Sequence, residues 1–317
     1  MTGFSYATVA RALSGTGYCG AEAKKKILEA AEAINYQSNA SARNLRNGKT
    51  EKILFCIPDI CNAFYFRMIQ GATDELAKYG YYVMIFGTDG KRSKEAKALE
   101  LLKQKHVDGL VMVSFDFSED NISAVRDSDR PVVLTNRFEH QKNNDNFDYV
   151  YADHIKGMES ATDYLVSKGC RKILLLTGNK DEQTSRERTS GYISALEKKR
   201  IEVNADYIVD GGFAIEGGYR AFEKVLDKGL EYDGIITAND LMLMGVARHL
   251  SGSKSWQKSK IVSFDNTDFA ANLGITSVDL KQDKIGETAI CLLMERLVGG
   301  RQEASNVYIE PELIIRK

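Results

Sequence analysis

Beyond Lys52 the chain alternates short apolar runs with amphipathic segments of helical length. The runs Ile53 to Ile57, Tyr82 to Phe86, Gly109 to Val113 and Val132 to Leu134 are rich in β-branched and aromatic residues. Between them lie segments such as Phe64 to Tyr79 and Lys94 to Lys105, whose apolar positions recur at helical spacing. Alternation of this kind predicts βαβ units around a parallel sheet. The rhythm restarts after Tyr149 to Ala152, with runs at Lys172 to Leu176, Tyr207 to Val209, Gly234 to Ile236 and Ile261 to Phe264. One open sheet of about ten strands is unusually large, so two doubly wound parallel-sheet lobes are expected, an α/β fold.

The first fifty residues follow a different pattern. From Ser5, the positions Val9, Ala12 and Leu13 fall on one helical face and Tyr6, Ala7, Thr8 and Arg11 point elsewhere, until Gly15 and Gly17 stop the helix. A second amphipathic helix spans Ala21 to Ile34, with Ile27, Ala31 and Ile34 on its apolar face. Tyr36 to Thr50 is a polar segment of linker character.

Charge divides the same way. Residues 1–52 hold eight Lys/Arg against four Asp/Glu, and the remainder 35 against 40, so a basic end precedes an acidic body. That asymmetry suits a nucleic-acid-binding head on a ligand-binding domain. Five scattered cysteines and the lack of a long apolar run point to a cytoplasmic protein with no membrane segment. Cys56 and Cys61 have no metal-ligating companions nearby, so no metal or other cofactor is expected. His106, His140, His154 and His249 are dispersed and read as surface or packing residues. None of GxxxxGK[ST], GxSxG or HExxH occurs, which argues against catalysis.

In open α/β sheets ligands sit beyond the carboxyl ends of the strands. The residues there are Asp59 to Tyr65, Asp89, Ser114 and Phe115, Asn136 and Arg137, Asp153, Thr184 to Arg188, Phe213, Asn239 and Asp240, and Asp265 with Asn266. Carboxylates and amides for hydroxyls, with aromatic faces for the apolar side of a ring, suit a sugar or a similar polyhydroxylated molecule. The plain alternatives are that Asn239 and Asp240 only cap the helix from Leu241, that Asp265 caps a loop, that Phe213 is core, and that Arg188 pairs with Glu187 or Glu182. Trp256 reads as a loop residue.

Several ordered fragments then resemble one family. Gly3-Phe-Ser5, Thr8-Val-Ala-Arg11, Ala30-Ala-Glu32, Asn35-Tyr36, Asn39-Ala-Ser-Ala-Arg-Asn-Leu45 and Gly48-Lys-Thr50 are similar to the headpiece and hinge of the lac repressor (LacI/GalR) family of transcription regulators. Pro58 to Tyr65, with Ala63 where the family carries proline, Thr184 to Gly191, Ala238 to Gly245 and Ser263 to Asn266 extend the likeness over the rest.

The resemblance implies two lobes of the periplasmic-binding-protein-like type behind a small α-helical headpiece. It assigns 1–37 to a partial helix-turn-helix, 38–51 to the hinge, 52–153 plus about 282–303 to the first lobe, and 154–281 plus about 304–317 to the second, with crossings near Asp153, Lys281 and Ala304. It places Ser5, Tyr6, Ala7, Thr8, Arg11, Asn39, Arg43 and Leu45 on operator DNA, with Leu45 wedging the minor groove. Phe64, Tyr65, Asp89, Ser114, Asn136, Arg137, Thr184, Arg188, Phe213, Asn239 and Asp265 become the effector-binding candidates. Arg188 is central among them, because its forked donors span two ligand oxygens. A homodimer, a sugar effector and a repressor follow, the alternative being a cytoplasmic sugar-binding protein of the same fold that has lost DNA binding. One departure is plain: the family has a further helix before the Gly-hydrophobic-Ser turn, where this chain has Met1 and Thr2. The expectation is either a natural start some ten residues upstream or a headpiece that has lost partners for Val9 and Leu13.

Overall fold

The computed structural model describes residues 3–14, 17–36, 48–115, 117–136, 147–250 and 260–316, which fall into two units, 1–50 and 51–317. The first holds α1 (Tyr6–Ser14) and α2 (Ala21–Ala33). Ser5 caps α1: its Oγ accepts the Thr8 amide at 3.2 Å and its carbonyl the Val9 amide. Among the described residues of this unit, Ala12 and Ile27 are the buried apolar side chains, while Val9 and Leu13 are half-buried. Ile34, expected on the inner face of α2, lies just beyond its end and is exposed, as are Phe4 and Leu28. Asn39, Arg43 and Leu45 lie outside the described residues.

The second unit contains two six-stranded sheets. The first is built from β1 (Lys52–Ile57), β2 (Tyr82–Gly87), β3 (Gly109–Met112), β4 (Val132–Leu134), β5 (Asp148–Ala152) and β11 (Asn306–Ile309), in the order β11-β5-β4-β3-β1-β2. All its pairings are parallel. Helices α3 (Phe64–Ala77), α4 (Arg92–Lys103) and α5 (Glu119–Arg126) connect its strands. The second sheet uses β6 (Ile173–Thr177), β7 (Ile208–Asp210), β8 (Gly234–Thr237), β9 (Ile261–Phe264), β10 (Thr276–Asp279) and β12 (Glu312–Ile314), in the order β12-β10-β9-β8-β6-β7. Here β12 runs antiparallel to β10. Its helices are α6 (His154–Ser167), α7 (Gln183–Lys198), α8 (Ile215–Asp227), α9 (Asp240–Leu250) and α10 (Asp268–Leu273). The inner strands are buried on both faces, which is why they read as continuous apolar runs.

Helix α11 (Gln282–Leu297) leaves the second sheet and packs against α3 of the first lobe. The two helices meet at glycines. A Cβ on Gly286 would stand 1.9 Å from the Met68 carbonyl oxygen and one on Gly71 2.1 Å from that of Asp283, so any side chain there would push the helices apart. The chain crosses between lobes at 153, again at 280–281, and finally at Glu310 and Pro311. The last position corrects the expected boundary near Ala304. Residues 306–309 form β11 beside β5, and Ser305 is fixed to the first lobe by its amide, which donates to Asp148 at 2.7 Å. Asp148 is fully buried, and Arg296 and Arg301 each grip it with two hydrogen bonds of 2.7–3.1 Å.

Candidate functional site

Both sheets reverse their winding beside their first strand, between β1 and β3 and between β6 and β8. Such switch points leave a crevice at the strand ends. A cavity of about 60 Å³, partly open to solvent, lies between the lobes at these ends. Crevices at such a junction are where α/β folds bind small molecules.

The first lobe supplies aromatic and amide groups. After β1, Asp59 accepts the Cys61 amide and Asn62 accepts the Phe64 amide, at 2.8 and 3.0 Å. These turns deliver Phe64 and Tyr65 edge-to-face, with ring centroids 5.1 Å apart, at the start of α3. Burial pushes the Tyr65 phenol well above its ordinary value, so it remains a hydroxyl. Phe115 follows β3, and Thr135 and Asn136 follow β4. The Asn136 amide is steadied by donating to the Ser114 carbonyl.

The second lobe supplies the charges. Thr184 and Arg188, one turn apart on α7, face the cavity. Arg188 is 4% exposed. Its Nη1 donates to the Ala238 carbonyl, Nη2 lies 3.4 Å from Nδ1 of His154, and Nε has no partner among the described residues. The guanidinium carbon stands 4.7 Å from the Phe264 ring and 5.5 Å from that of Phe213. Burial draws the Arg188 guanidinium below its ordinary value, and the Asp265 charge opposes that pull.

Phe213 occupies the left-handed region at φ 54°, where its ring covers Gly178 so closely that a Cβ there would collide with it at 2.0 Å. Asp265, at the end of β9, also has positive φ, at 93°. Burial and the neighbouring Asp240 push its carboxyl up to about 7, with Arg188 opposing. Asp240 itself is behind the wall, where it accepts from Ser263 and from both the amide and hydroxyl of Thr267.

Of the sequence-derived candidates, Phe64, Tyr65, Asn136, Thr184, Arg188, Phe213 and Asp265 therefore line one cavity. Asp89, Ser114 and Asn239 do not. Asp89 follows the edge strand β2, away from the switch point, and its exposed carboxylate is paired with Lys94 and Lys91. Ser114 is buried and meets the site through its carbonyl. Asn239 caps α9 by accepting the Met242 amide, and its amide donates to the Phe213 carbonyl at 2.9 Å. Arg137 lies outside the described residues. The wall also includes Asn62, Phe115 and His154, with Met68, Leu280 and Ile285 closing it on the apolar side. His154, which the sequence presents as a surface or packing residue, follows the strand-end residue Asp153 directly. Among the described residues no cluster of His, Cys, Asp and Glu could hold a metal ion, and no helix is long and apolar enough to cross a membrane.

Residues 50–317 match the family model for periplasmic binding proteins and the sugar binding domain of the LacI family. The chain is 28% identical to an HTH-type transcriptional repressor, PurR, of Photobacterium profundum, over 100% of this chain and 96% of the relative. It is also 28% identical to a ribose operon repressor of Halalkalibacterium halodurans, over 99% and 93%. Among solved structures, the lac repressor dimer bound to operator and the anti-inducer ONPF superposes with a TM-score of 0.86 at 20% identity, covering 100% of this chain and 96% of that one. The chain belongs to the LacI family and is a DNA-binding transcriptional regulator controlled by a small-molecule effector.

Proposed function

We propose that the cavity between the lobes binds a compact sugar, and that its occupation sets whether a homodimer of this chain represses transcription at an operator. The observation that carries the sugar reading is the buried Arg188 and Asp265 facing the rings of Phe64, Tyr65, Phe115 and Phe213. A donor fork and a carboxylate serve hydroxyls while rings cover the apolar face of a pyranose or furanose. Opposite single charges favour a neutral ligand over a phosphorylated one. To swing the lobes from 1:99 to 99:1, that ligand must prefer one arrangement by about 5.5 kcal/mol.

The dimer reading is supported by the edge strand β2, where Tyr82, Met84 and Ile85 are exposed, with Ile60 beside its end and Phe66 on α3 also exposed. An unpaired edge carrying large apolar side chains is an association surface. On the DNA side, Tyr6, Ala7 and Arg11 are exposed on α1, at positions suited to base edges, while Ser5 acts as its cap.

One observation favours a second reading, an effector-binding protein without operator binding: the described headpiece buries little apolar surface beyond Ala12 and Ile27. Fluorescence anisotropy against DNA from upstream of the chain's own gene, at fixed salt and with a panel of neutral sugars, separates the readings. Specific binding that a sugar alters supports the regulator. Sugar binding without any DNA binding supports the second reading, and neither event removes both.

A further inference from the structure

His154 is the first residue of α6, directly after Asp153, whose carboxylate caps the helix by accepting the Lys156 amide at 2.9 Å. Its ring is buried and stands on the cavity wall beside Arg188. The Nδ1 atom faces Nη2 of Arg188 at 3.4 Å. A guanidinium has donors only, so Nδ1 accepts and the one ring proton of a neutral imidazole is on Nε2. Burial and the neighbouring guanidinium both hold the ring neutral, well below the ordinary histidine value. Nε2 has no hydrogen-bond partner among the described residues, and neither has the buried Nε of Arg188. Two N–H groups on one wall thus lack a protein acceptor.

Resting on the effector-site reading above, we propose that His154 is a specificity-determining residue: its Nε2–H, fixed by the Arg188 contact at Nδ1, donates to an effector oxygen that must act as an acceptor. A ring oxygen, a carbonyl or a hydroxyl turned to accept satisfies it, and an analogue lacking that oxygen covers the donor without pairing it. Arg188 and His154 then act as one unit. The arginine sets the tautomer, and the imidazole carries the donor to the ligand.

The test uses the full chain labelled with 15N-histidine, the His154 signal being assigned by its loss in His154→Gln. Glutamine places a terminal N–H near the position of Nε2, whereas asparagine reaches only the position of Nδ1. Wild type, His154→Gln and His154→Asn are titrated calorimetrically with D-ribose, D-xylose, D-glucose, D-galactose and cellobiose, after circular dichroism confirms folding. The expected results are a proton on Nε2 at both pH 6 and pH 8, and an Nε2 shift on adding the sugar that binds. His154→Gln should bind within about threefold of wild type, and His154→Asn about tenfold more weakly. A proton on Nδ1, titration of the ring near its ordinary value, or equal affinity of wild type and His154→Asn overturns the proposal. Should no sugar bind wild type, the sugar reading fails by itself. The tautomer then decides His154, a proton on Nε2 keeping it as a donor and one on Nδ1 removing it.

Discussion

Arg67 of α3 in the first lobe donates to Asp279 at the end of β10 in the second, Nη1 to Oδ2 at 3.1 Å, and its Nη2 donates to Asp283 of α11 at 2.9 Å. Asn266 donates to the same Asp279 carboxylate at 2.8 Å, and the Lys281 amide donates to it at 2.7 Å. This junction ties the second crossing to a helix that starts in the cavity wall. Because the guanidinium is half-exposed, its contribution is about 1 kcal/mol or less. Replacing Arg67 with alanine should enlarge the radius of gyration of the empty chain in X-ray scattering and weaken effector binding by about fivefold. Unchanged scattering and affinity would show that the pair does not hold the lobes together.

Arg188 is a buried cation whose carboxylate neighbour, Asp265, makes no hydrogen bond to it. Burial of charge costs stability, while the same charge serves a ligand. Arg188→Met should therefore melt at a temperature equal to or above that of wild type and lose at least a hundredfold in effector affinity. A large fall in melting temperature would place Arg188 among the structural ion pairs.

Asp265 supplies a pH signature. Its carboxyl is raised to about 7 in the folded chain and is ordinary when unfolded, so the native state holds the extra proton between roughly pH 4 and 7. Stability from this group is highest below that window and falls as pH rises through it. His154 acts oppositely: its lowered value means that stability is lost as pH falls below about 6.5. The comparison that isolates Asp265 is the melting temperature of Asp265→Asn minus that of wild type. The difference should be larger at pH 8 than at pH 5.5, and a difference that ignores pH refutes the assignment.

Asp148 is buried beneath two arginines. Asparagine there would leave both cations under-compensated, costing about 3 kcal/mol in urea unfolding. A loss below about 1 kcal/mol would mean that water replaces the carboxylate readily.

The exposed Ile85 on β2 gives the dimer reading its own check. Ile85→Lys should shift sedimentation equilibrium towards monomer by at least tenfold in Kd, because a buried lysine has no partner in an apolar interface. Dimer strength unaffected by this change would place the interface elsewhere.

Apolar runs located β1 to β9 and the helices between them, the inner strands because both their faces are buried and the edge strands β2 and β7 because they keep β-branched and aromatic residues. The strand-end rule likewise reached Phe64, Tyr65, Arg188, Phe213 and Asp265, since a strand's end is a local property. Strands β10, β11 and β12 were not legible. They are short and carry polar residues, and they are strands because a neighbour offers them hydrogen bonds. Strand order was equally invisible, and it alone sends Asp89 to the sheet edge and brings His154 to the cavity. The sequence by itself determined the apolar strands β1 to β9, the helices between them and which residues follow those strands. Only the tertiary structure decided which of those residues share a wall and which merely cap a helix, because pairing and burial depend on neighbours distant in the chain.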